Sequence, residues 1–493
     1  MKNKLIFLIV FISAIIQIFT WTTGHNWGGD FSAYIMQAIS ISDGTVERFV
    51  ELNDQTKNLS SKPVGPVTYP WGFPILLSIA YSYFGFDIVI FKSVILIFFL
   101  ALLVLLWFLY EKELDFFERL IFVSIFAFNP FLLKFGDSVL SDIPFLFFST
   151  LSIFILFKLE KKRSYQSTLL LTFILGLFFA AGFSLRSNGV FLPLTYIGIF
   201  CLIFLKQYVS FFGIFKIQIS SYDYISKKIK PLIFLFPLIV FIIPSYYIFI
   251  IFPNPQDVHL NFLNKINLKD AATNILYYSL IIKDFFGPSY IGIILYVVSV
   301  PFAIMGFVKK WRSSSIVLIY IILTLSLYIL WPFRQGLRFI LPVFPFYIYF
   351  FIIGLRSLQD LNNNILFNKK ILSSCFVLVF VLVSVFRLYE NLNNEHKLKV
   401  GPYTKQSQEM FNFINNNVLE NETVVFRKPR VMRLFTKRDS VFFNHIDDFN
   451  IREWFVVDKK NLIIGVSERD KLFEKFPVTA IFENNQFIIY RFK

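Results

Sequence analysis

The chain has 493 residues, 56% of them hydrophobic and only 16% charged, with a mean hydropathy of +0.63. Soluble domains carry about a quarter charged residues, so this composition excludes a soluble enzyme and places the chain in a bilayer. The net charge of +16 does not mark a nucleic-acid binder: Lys and Arg fall in short loops between apolar runs, the distribution of topology determinants, and not on a basic face with aromatic platforms.

In chain order, Lys2 and Lys4 precede an apolar run to Phe19. The run resembles a signal peptide, but Trp21-Thr22-Thr23-Gly24 offers no small-residue cleavage site, so a retained first span with a cytoplasmic N-terminus is expected. A spanning helix needs about twenty apolar residues, and that rule predicts about eleven spans. They start near Leu5, Asp87, Leu120, Ile143, Ser167, Gly189, Leu232, Ser289, Ser313, Phe339 and Ile371. With the N-terminus inside, the inner loops hold Lys158, Lys161, Lys162 and Arg163, then Lys206, Lys216, Lys227, Lys228 and Lys230, then Lys309, Lys310 and Arg312, then Arg356, Lys369 and Lys370. The outer loops are poorer in cations, as the positive-inside rule requires. Cys201 and Cys375 lie inside apolar runs and read as small hydrophobes.

The first outer loop, residues 23–86, is long. A helix is expected over Phe31–Ser42, and Tyr69-Pro70-Trp71-Gly72-Phe73-Pro74 reads as a turn into a second helix with proline in its first turn. Residues 1–396 are expected to form the membrane domain and 397–493 a small soluble α/β domain outside. In the latter, Thr404–Asn417 reads as a helix, and Thr423–Phe426, Ser440–Phe443, Phe455–Val457 and Leu462–Val466 read as strands. Thr479–Phe482 and Phe487–Tyr490 read as a hairpin around Glu483-Asn484-Asn485-Gln486.

The span interiors are nearly free of ionisable groups. Lys92 is the main exception and is expected to snorkel to the outer surface. The other notable charges gather at the outer boundary: Asp30, Asp137, Asp142, Arg186, Arg334 and Arg338. Carboxylates and guanidinium groups converging there suit a substrate with a lipid tail, a phosphate and a polar head. Arg binds phosphate bidentately and stays charged, and a carboxylate can take a proton from a hydroxyl nucleophile. Plainer roles compete. Asp30 and Asp142 stand where helix caps stand, Asp137 fits a solvated loop, and the arginines fit interfacial anchors, as Trp71 and Trp331 fit the aromatic belt. His25 and His259 are both outside and offer a weak metal signal beside Asp30, without characteristic ligand spacing.

The order Gly28-Gly29-Asp30-Phe31-Ser32-Ala33-Tyr34-Ile35, then Tyr69–Pro74, then Ser141-Asp142-Ile143-Pro144-Phe145, resembles the GT-C superfamily of integral-membrane glycosyltransferases. The closest branch is that of the bacterial relatives of protein O-mannosyltransferases and the aminoarabinose transferase of lipid A. Leu185-Arg186-Ser187-Asn188-Gly189 is similar to that branch's Arg-x-Asn-Gly segment, and Arg338–Pro345 to its Arg-Tyr-x-x-Pro-x-x-Pro segment. The resemblance implies a GT-C fold and a sugar donor on a polyprenyl phosphate, undecaprenyl in bacteria. It also implies inverting transfer to an acceptor hydroxyl of a glycan, lipid or protein at the outer face of the cytoplasmic membrane. Asp30 would be the general base and Asp142 the second acidic position, orienting the acceptor or a metal. Arg186 and Arg338 would meet the lipid phosphate. Outside the resemblance, Arg334 is a further candidate for the phosphate, and Tyr69 and Asp137 are candidates for other substrate contacts. The tandem acidic pairs of some relatives are missing, so a divalent metal stays open as an alternative and no cofactor is assigned. The rival reading is a transporter or lipid-sugar flippase, disfavoured by the absence of internal repeats and of polar residues at the midplane.

Overall fold

The computed structural model describes residues 2–62, 64–159, 164–208, 231–253, 268–287, 289–361, 369–443, 454–461 and 466–492. The chain is mainly helical, with one small sheet near its C-terminal end. Among the described residues, six helices are long and apolar enough to cross a membrane: Ile88–Leu109, Asp142–Leu159, Tyr165–Leu185, Phe234–Ile251, Tyr290–Ser313 and Lys370–Asn393. The pair Phe116–Ala127 and Pro130–Gly136, bent by 50°, makes a seventh if it is one broken span. The bend has a local cause: Asn129 accepts from the N–H groups of Phe131 and Leu132 and Pro130 opens the second piece, so the first helix cannot continue. The helices at the remaining expected positions, Lys4–Thr20, Ser187–Leu202, Ser315–Leu330 and Leu341–Ser357, are apolar but shorter. By length and composition the expected eleven spans therefore stand at six or seven.

Two ends of the bundle can be told apart by their charges. At one end, Lys310 pairs with Glu113 at 2.8 Å, Arg356 pairs with Glu118, Tyr349 donates to Glu113, and Lys370 lies over the Phe117 ring. These residues come from loops expected on a single side. Of the other expected inner-loop cations, Lys161, Lys162, Arg163, Lys216, Lys227, Lys228 and Lys230 lie outside the described residues, as do His259 and residues 254–267 of the loop at 252–288. The opposite end carries Asp30, Asp142, Arg186 and Arg338.

The first loop is more ordered than its composition suggests. Helix Gly29–Ser42 begins slightly before the expected Phe31, and a second helix, Val46–Leu59, was not anticipated. Trp71 departs from the expected aromatic belt. It is buried, donates from Nε1 to the Pro253 carbonyl at 3.2 Å and stacks on Phe252, so its polar edge is satisfied by protein and not by lipid headgroups.

Lys92 also departs from expectation. It does not snorkel: its side chain is 0% exposed and pairs with Asp137 at 2.6 Å. Its ammonium also donates to the carbonyls of Thr22 and Gly24, both at 2.7 Å. A charged amine can stay inside apolar surroundings only when a counter-charge and acceptors replace its water; Asp137 supplies the charge, and the chain just after the first helix supplies the carbonyls.

The C-terminal sheet has five strands, β1 Thr423–Val425, β2 Asp439–Val441, β3 Trp454–Asp458, β4 Val478–Glu483 and β5 Phe487–Phe492, in the order β2-β1-β3-β5-β4. β1 is parallel to both β2 and β3, while β3–β5 and β5–β4 are antiparallel. The expected β4–β5 hairpin is present, and Thr404 caps helix Lys405–Asn417 by accepting from Ser407 N–H. Of the strand expected at Leu462–Val466, residues 462–465 lie outside the described residues and Val466 starts a helix, Val466–Lys475. The crossover from β1 to β2 contains helix Pro429–Thr436, which packs on Gly29–Ser42. Its Arg433 donates to Asn53 Oδ1 and to the Leu52 carbonyl, both at 2.9 Å, while Thr56 donates to the Ser440 carbonyl at 3.2 Å. The sheet is thereby stitched to the first loop.

Candidate active site

A cavity of about 640 Å³ opens between the helical bundle, the first loop and the C-terminal segment. Its bundle wall is largely apolar, with Leu185, Val190, Phe191, Leu327, Trp331 and Phe339, and carries Arg186 and Arg338. The opposite wall comes from Lys62 and residues 64–66 of the first loop and 427–431 of the C-terminal segment. Asp30 and Tyr69 lie between the two.

Asp30 sits in the first turn of helix Gly29–Ser42, one position past the start, and Gly28 is the N-cap. It is not the cap, so its carboxylate is free for other partners, and the helix N-terminus favours its negative charge. Tyr34 and Gln37 follow at helical spacing on the same face. Gln37 clamps Tyr69 by two bonds, accepting from its N–H at 2.9 Å and donating to its carbonyl at 3.0 Å. The Tyr69 hydroxyl then reaches back and donates to Asp30 Oδ1 at 2.6 Å. Tyr34 stacks obliquely on Tyr69 with ring centres 4.6 Å apart, and its hydroxyl meets Ser141 Oγ at 2.9 Å.

The other Asp30 oxygen takes Arg338 Nη1 at 2.7 Å. The same guanidinium grips Asp142 with two bonds, Nε to Oδ1 at 3.1 Å and Nη2 to Oδ2 at 3.0 Å. Arg186 Nη1 adds a bond to Asp142 Oδ1 at 2.5 Å. Arg338 therefore bridges two carboxylates, and Asp142 bridges two arginines. Asp142 is 2% exposed and does not line the cavity; it holds the arginines from behind. Burial raises the Asp30 pKa, but the Arg338 charge and the bonds from Tyr69 and Arg338, with Arg430 beyond, together hold it below the ordinary carboxylate value.

Arg186 is placed by backbone geometry. It ends helix Tyr165–Leu185 in an extended conformation, and a one-turn helix, Ser187–Val190, follows. The turn brings Gly189 against the carbonyl of Gly182, where an added Cβ would lie 2.5 Å from that oxygen, so only glycine fits. Asn188 then donates to the Tyr328 hydroxyl at 2.6 Å on the bundle wall.

The structure thus brings together Asp30, Asp142, Arg186, Arg338 and Tyr69, which lie far apart in the chain. It does not bring the remaining candidates to them. Asp137 is neither a solvated loop residue nor a cavity residue: it is spent on Lys92 and on Thr22, whose N–H donates to it at 2.8 Å. Arg334 points to Asn274 Oδ1 and Thr273 Oγ1, both at 2.7 Å, outside the cavity lining. His25 does not face Asp30 as a ligand. Its Nδ1 lies 3.1 Å from the Asn26 carbonyl, its Nε2 accepts from Val139 N–H at 3.2 Å, and the ring stacks on Phe31. Burial pulls its pKa down to about 4, so the ring is neutral at neutral pH. Among the described residues no group of three or more His, Cys, Asp and Glu is arranged to hold a metal.

The sequence reading missed Gln37, Lys62 and the Arg427-Lys428-Pro429-Arg430 stretch. Gln37 was legible in principle, as a polar residue two turns from Asp30 on an otherwise apolar helix. The C-terminal cations carried no local signal.

Residues 289–433 match the Alg9-like mannosyltransferase family, a stretch that includes Arg338 and Arg430. No curated protein sequence matches the chain. The structure is similar to that of ArnT from Cupriavidus metallidurans bound to undecaprenyl phosphate, with a TM-score of 0.64 at 10% identity, over 99% of this chain and 98% of that one. It is also similar to the archaeal oligosaccharyltransferase AglB from Archaeoglobus fulgidus in complex with an inhibitory peptide and a dolichol-phosphate, with a TM-score of 0.53 at 11% identity, over 93% of this chain and 70% of that one. With the motifs in order along the helices and the cavity at one end of the bundle, the chain has the fold of the GT-C membrane glycosyltransferases and carries the Alg9-like mannosyltransferase pattern over residues 289–433.

Proposed function

We propose that this protein is a membrane glycosyltransferase. It moves a sugar from a polyprenyl-phosphate donor to an acceptor hydroxyl at the outer face of the cytoplasmic membrane. The observation that carries the reading is the bridge Tyr69–Asp30–Arg338–Asp142–Arg186, set at a cavity with one apolar and one polar wall. The apolar wall of the membrane part suits the donor's lipid, and Arg186 and Arg338 at its edge suit the phosphate that joins lipid to sugar. Residues 1–396 then form the membrane domain, and 397–493 an extracytoplasmic domain that closes the cavity.

The chemistry is a single displacement. The acceptor oxygen forms a bond to the anomeric carbon as the bond from that carbon to the phosphate oxygen breaks. The bonding electrons leave with the polyprenyl phosphate, the acceptor proton passes to Asp30, and the configuration inverts. A carboxylate has about four lone-pair sites, so Asp30 retains acceptor capacity beside its bonds to Tyr69 and Arg338. Their role is to aim it. Arg338 and Arg186 face charge that grows on the leaving phosphate, and donors fixed beforehand by Asp142 do not have to reorganise when it appears. Asp142 acts through them as a positioning residue.

The test supplies the purified protein with a radiolabelled polyprenyl-phosphate sugar and a mixed glycan, lipid and peptide acceptor extract. Release of free polyprenyl phosphate with a product of inverted anomeric configuration supports the proposal. Movement of intact donor across proteoliposomes without cleavage overturns it and supports a flippase.

A further inference from the structure

Among the described residues, six cations line the cavity, Lys62, Arg186, Arg338, Arg427, Lys428 and Arg430, against the one carboxylate of Asp30. Two of the six are accounted for: Arg186 and Arg338 are tied to Asp142 and Asp30 on the bundle wall. The remaining four lie on the opposite wall, and their counter-charges are fewer. Arg427 has Asp458 at 2.8 Å and lies over the Trp27 ring. Arg430, only 5% exposed, donates to the Pro66 carbonyl and comes within 3.4 Å of the Tyr69 hydroxyl. The Lys428 ammonium has no hydrogen bond or ion pair among the described residues; burial, then the neighbouring Arg427 charge, lowers its pKa against the attraction of Asp30. Lys62 lies over the Phe442 ring at 5.6 Å. A cluster of cations left short of counter-ions in a partly desolvated wall is costly unless a ligand completes it.

The backbone adds to this. Lys428 precedes helix Pro429–Thr436, whose first intrahelical bond is Met432 N–H to Lys428 O at 3.0 Å. The N–H groups of Arg430 and Val431 lie ahead of that bond, and both residues line the cavity. The wall also stands at the C-terminal end of β1, flanked by parallel strands on both sides, the edge of an open α/β sheet where ligands bind.

We infer that this wall is a second anion subsite, and that the acceptor carries its own phosphate or carboxylate in addition to the reacting hydroxyl. The inference rests on the transferase reading for its biological meaning. The donor phosphate must stay near the apolar wall because its lipid is attached there, so it meets Arg186 and Arg338. A second anion, seated on Lys428, Lys62 and the helix start with Arg430 behind, would place its neighbouring hydroxyl between the walls, beside Asp30. Arg430 also touches Tyr69, which holds Asp30, so an acceptor docked on this wall and the base are positioned through one contact.

The experiment uses the full-length protein in detergent and measures binding calorimetrically, so that it does not depend on turnover. The probes are undecaprenyl phosphate, glucose 6-phosphate, glucuronate and glucose. The inference expects glucose 6-phosphate or glucuronate, but not glucose, to bind at millimolar concentration with undecaprenyl phosphate already saturating, and which of the two binds identifies the anion. The Lys62→Gln/Lys428→Gln double variant should weaken that binding about tenfold or more, the scale of one lost charge-assisted contact or more, while undecaprenyl phosphate binds as in the wild type and reports an intact fold. Competition between undecaprenyl phosphate and the sugar anion would mean one shared site and overturn the inference. So would failure of both sugar anions to bind, or a double variant that loses undecaprenyl phosphate and keeps the sugar anion. If both anions bind together but the donor is never cleaved, the subsite stands and the transferase reading falls.

Discussion

Two buried cation–carboxylate assemblies lie near the same end of this molecule, and they differ in what surrounds them. Lys92 and Asp137 are sealed: the ammonium is wholly buried, and its remaining donors end on the Thr22 and Gly24 carbonyls. Asp30, Arg338, Asp142 and Arg186 use the same chemistry, but Asp30 and both arginines line an open cavity. The sealed pair pins the start of the first loop to the bundle and lines no part of the cavity. The open network is equally well bonded but faces space, and that difference separates a structural ion pair from a candidate catalytic one.

The largest expected effect breaks the sealed pair. Lys92→Met or Asp137→Asn leaves one buried charge or polar group without its partner and should cost about 3–5 kcal/mol of stability. Replacing both, as Lys92→Met/Asp137→Leu, should recover most of that loss. Thermal unfolding in detergent checks both, and a double variant as unstable as the singles would show that the pair does more than neutralise itself. Next is Arg338→Lys, which keeps the charge but loses the fork that spans two carboxylates. It should lower kcat by about ten- to a hundredfold, the equivalent of about 1.5–3 kcal/mol for a lost charged hydrogen bond, with the fold intact. An unchanged kcat would mean that the bridge does not need its bidentate geometry.

A smaller effect concerns pH. Asp30 is held below the ordinary carboxylate value, so it is ionised in the folded protein throughout the neutral range. Its contribution to stability is present above the ordinary value and is lost as pH falls through the depressed one. If it is the base, the acid limb of kcat/KM lies below the ordinary carboxylate range. Arg338→Met removes the first of the opposing influences and leaves burial to act, so the limb should move upward; a limb that stays put would separate it from Asp30. The smallest effect is at the far end. Lys310→Ala breaks an exposed pair with Glu113 and should change stability by about 0–1 kcal/mol without altering donor or acceptor KM. A change in either KM would mean that the two ends of the bundle communicate.

Much of the open network was legible in the sequence, because each member sits where an apolar run meets a polar boundary and an ionisable group there needs a reason. Asp30, Asp142, Arg186 and Arg338 share that signature. Asp137 and Arg334 share it too, and the structure sends them to Lys92 and to Asn274. Position along the chain gives depth in the bilayer but not rotation about a helix, so sealed and open pairs read alike. Lys92 was misjudged for the same reason: its depth suggested snorkelling, but its helix face turns it toward Thr22. The C-terminal wall was illegible because its placement depends on tertiary stitching between Arg433 and the Val46–Leu59 helix, which no local pattern encodes. In the sheet, residues that alternate or cluster as β-branched and aromatic runs gave all five strands within a residue or two. The helix Pro429–Thr436 between β1 and β2 went unseen because it spans little more than two turns.

The most direct test of the account compares Asp30→Asn with wild type in transfer from a polyprenyl-phosphate sugar, with undecaprenyl phosphate binding measured on the same preparation. The account predicts a loss of about 10²- to 10⁴-fold in transfer, the scale of a missing general base, with undecaprenyl phosphate still bound. An Asp30→Asn protein that binds the lipid phosphate and turns over at the wild-type rate would contradict it.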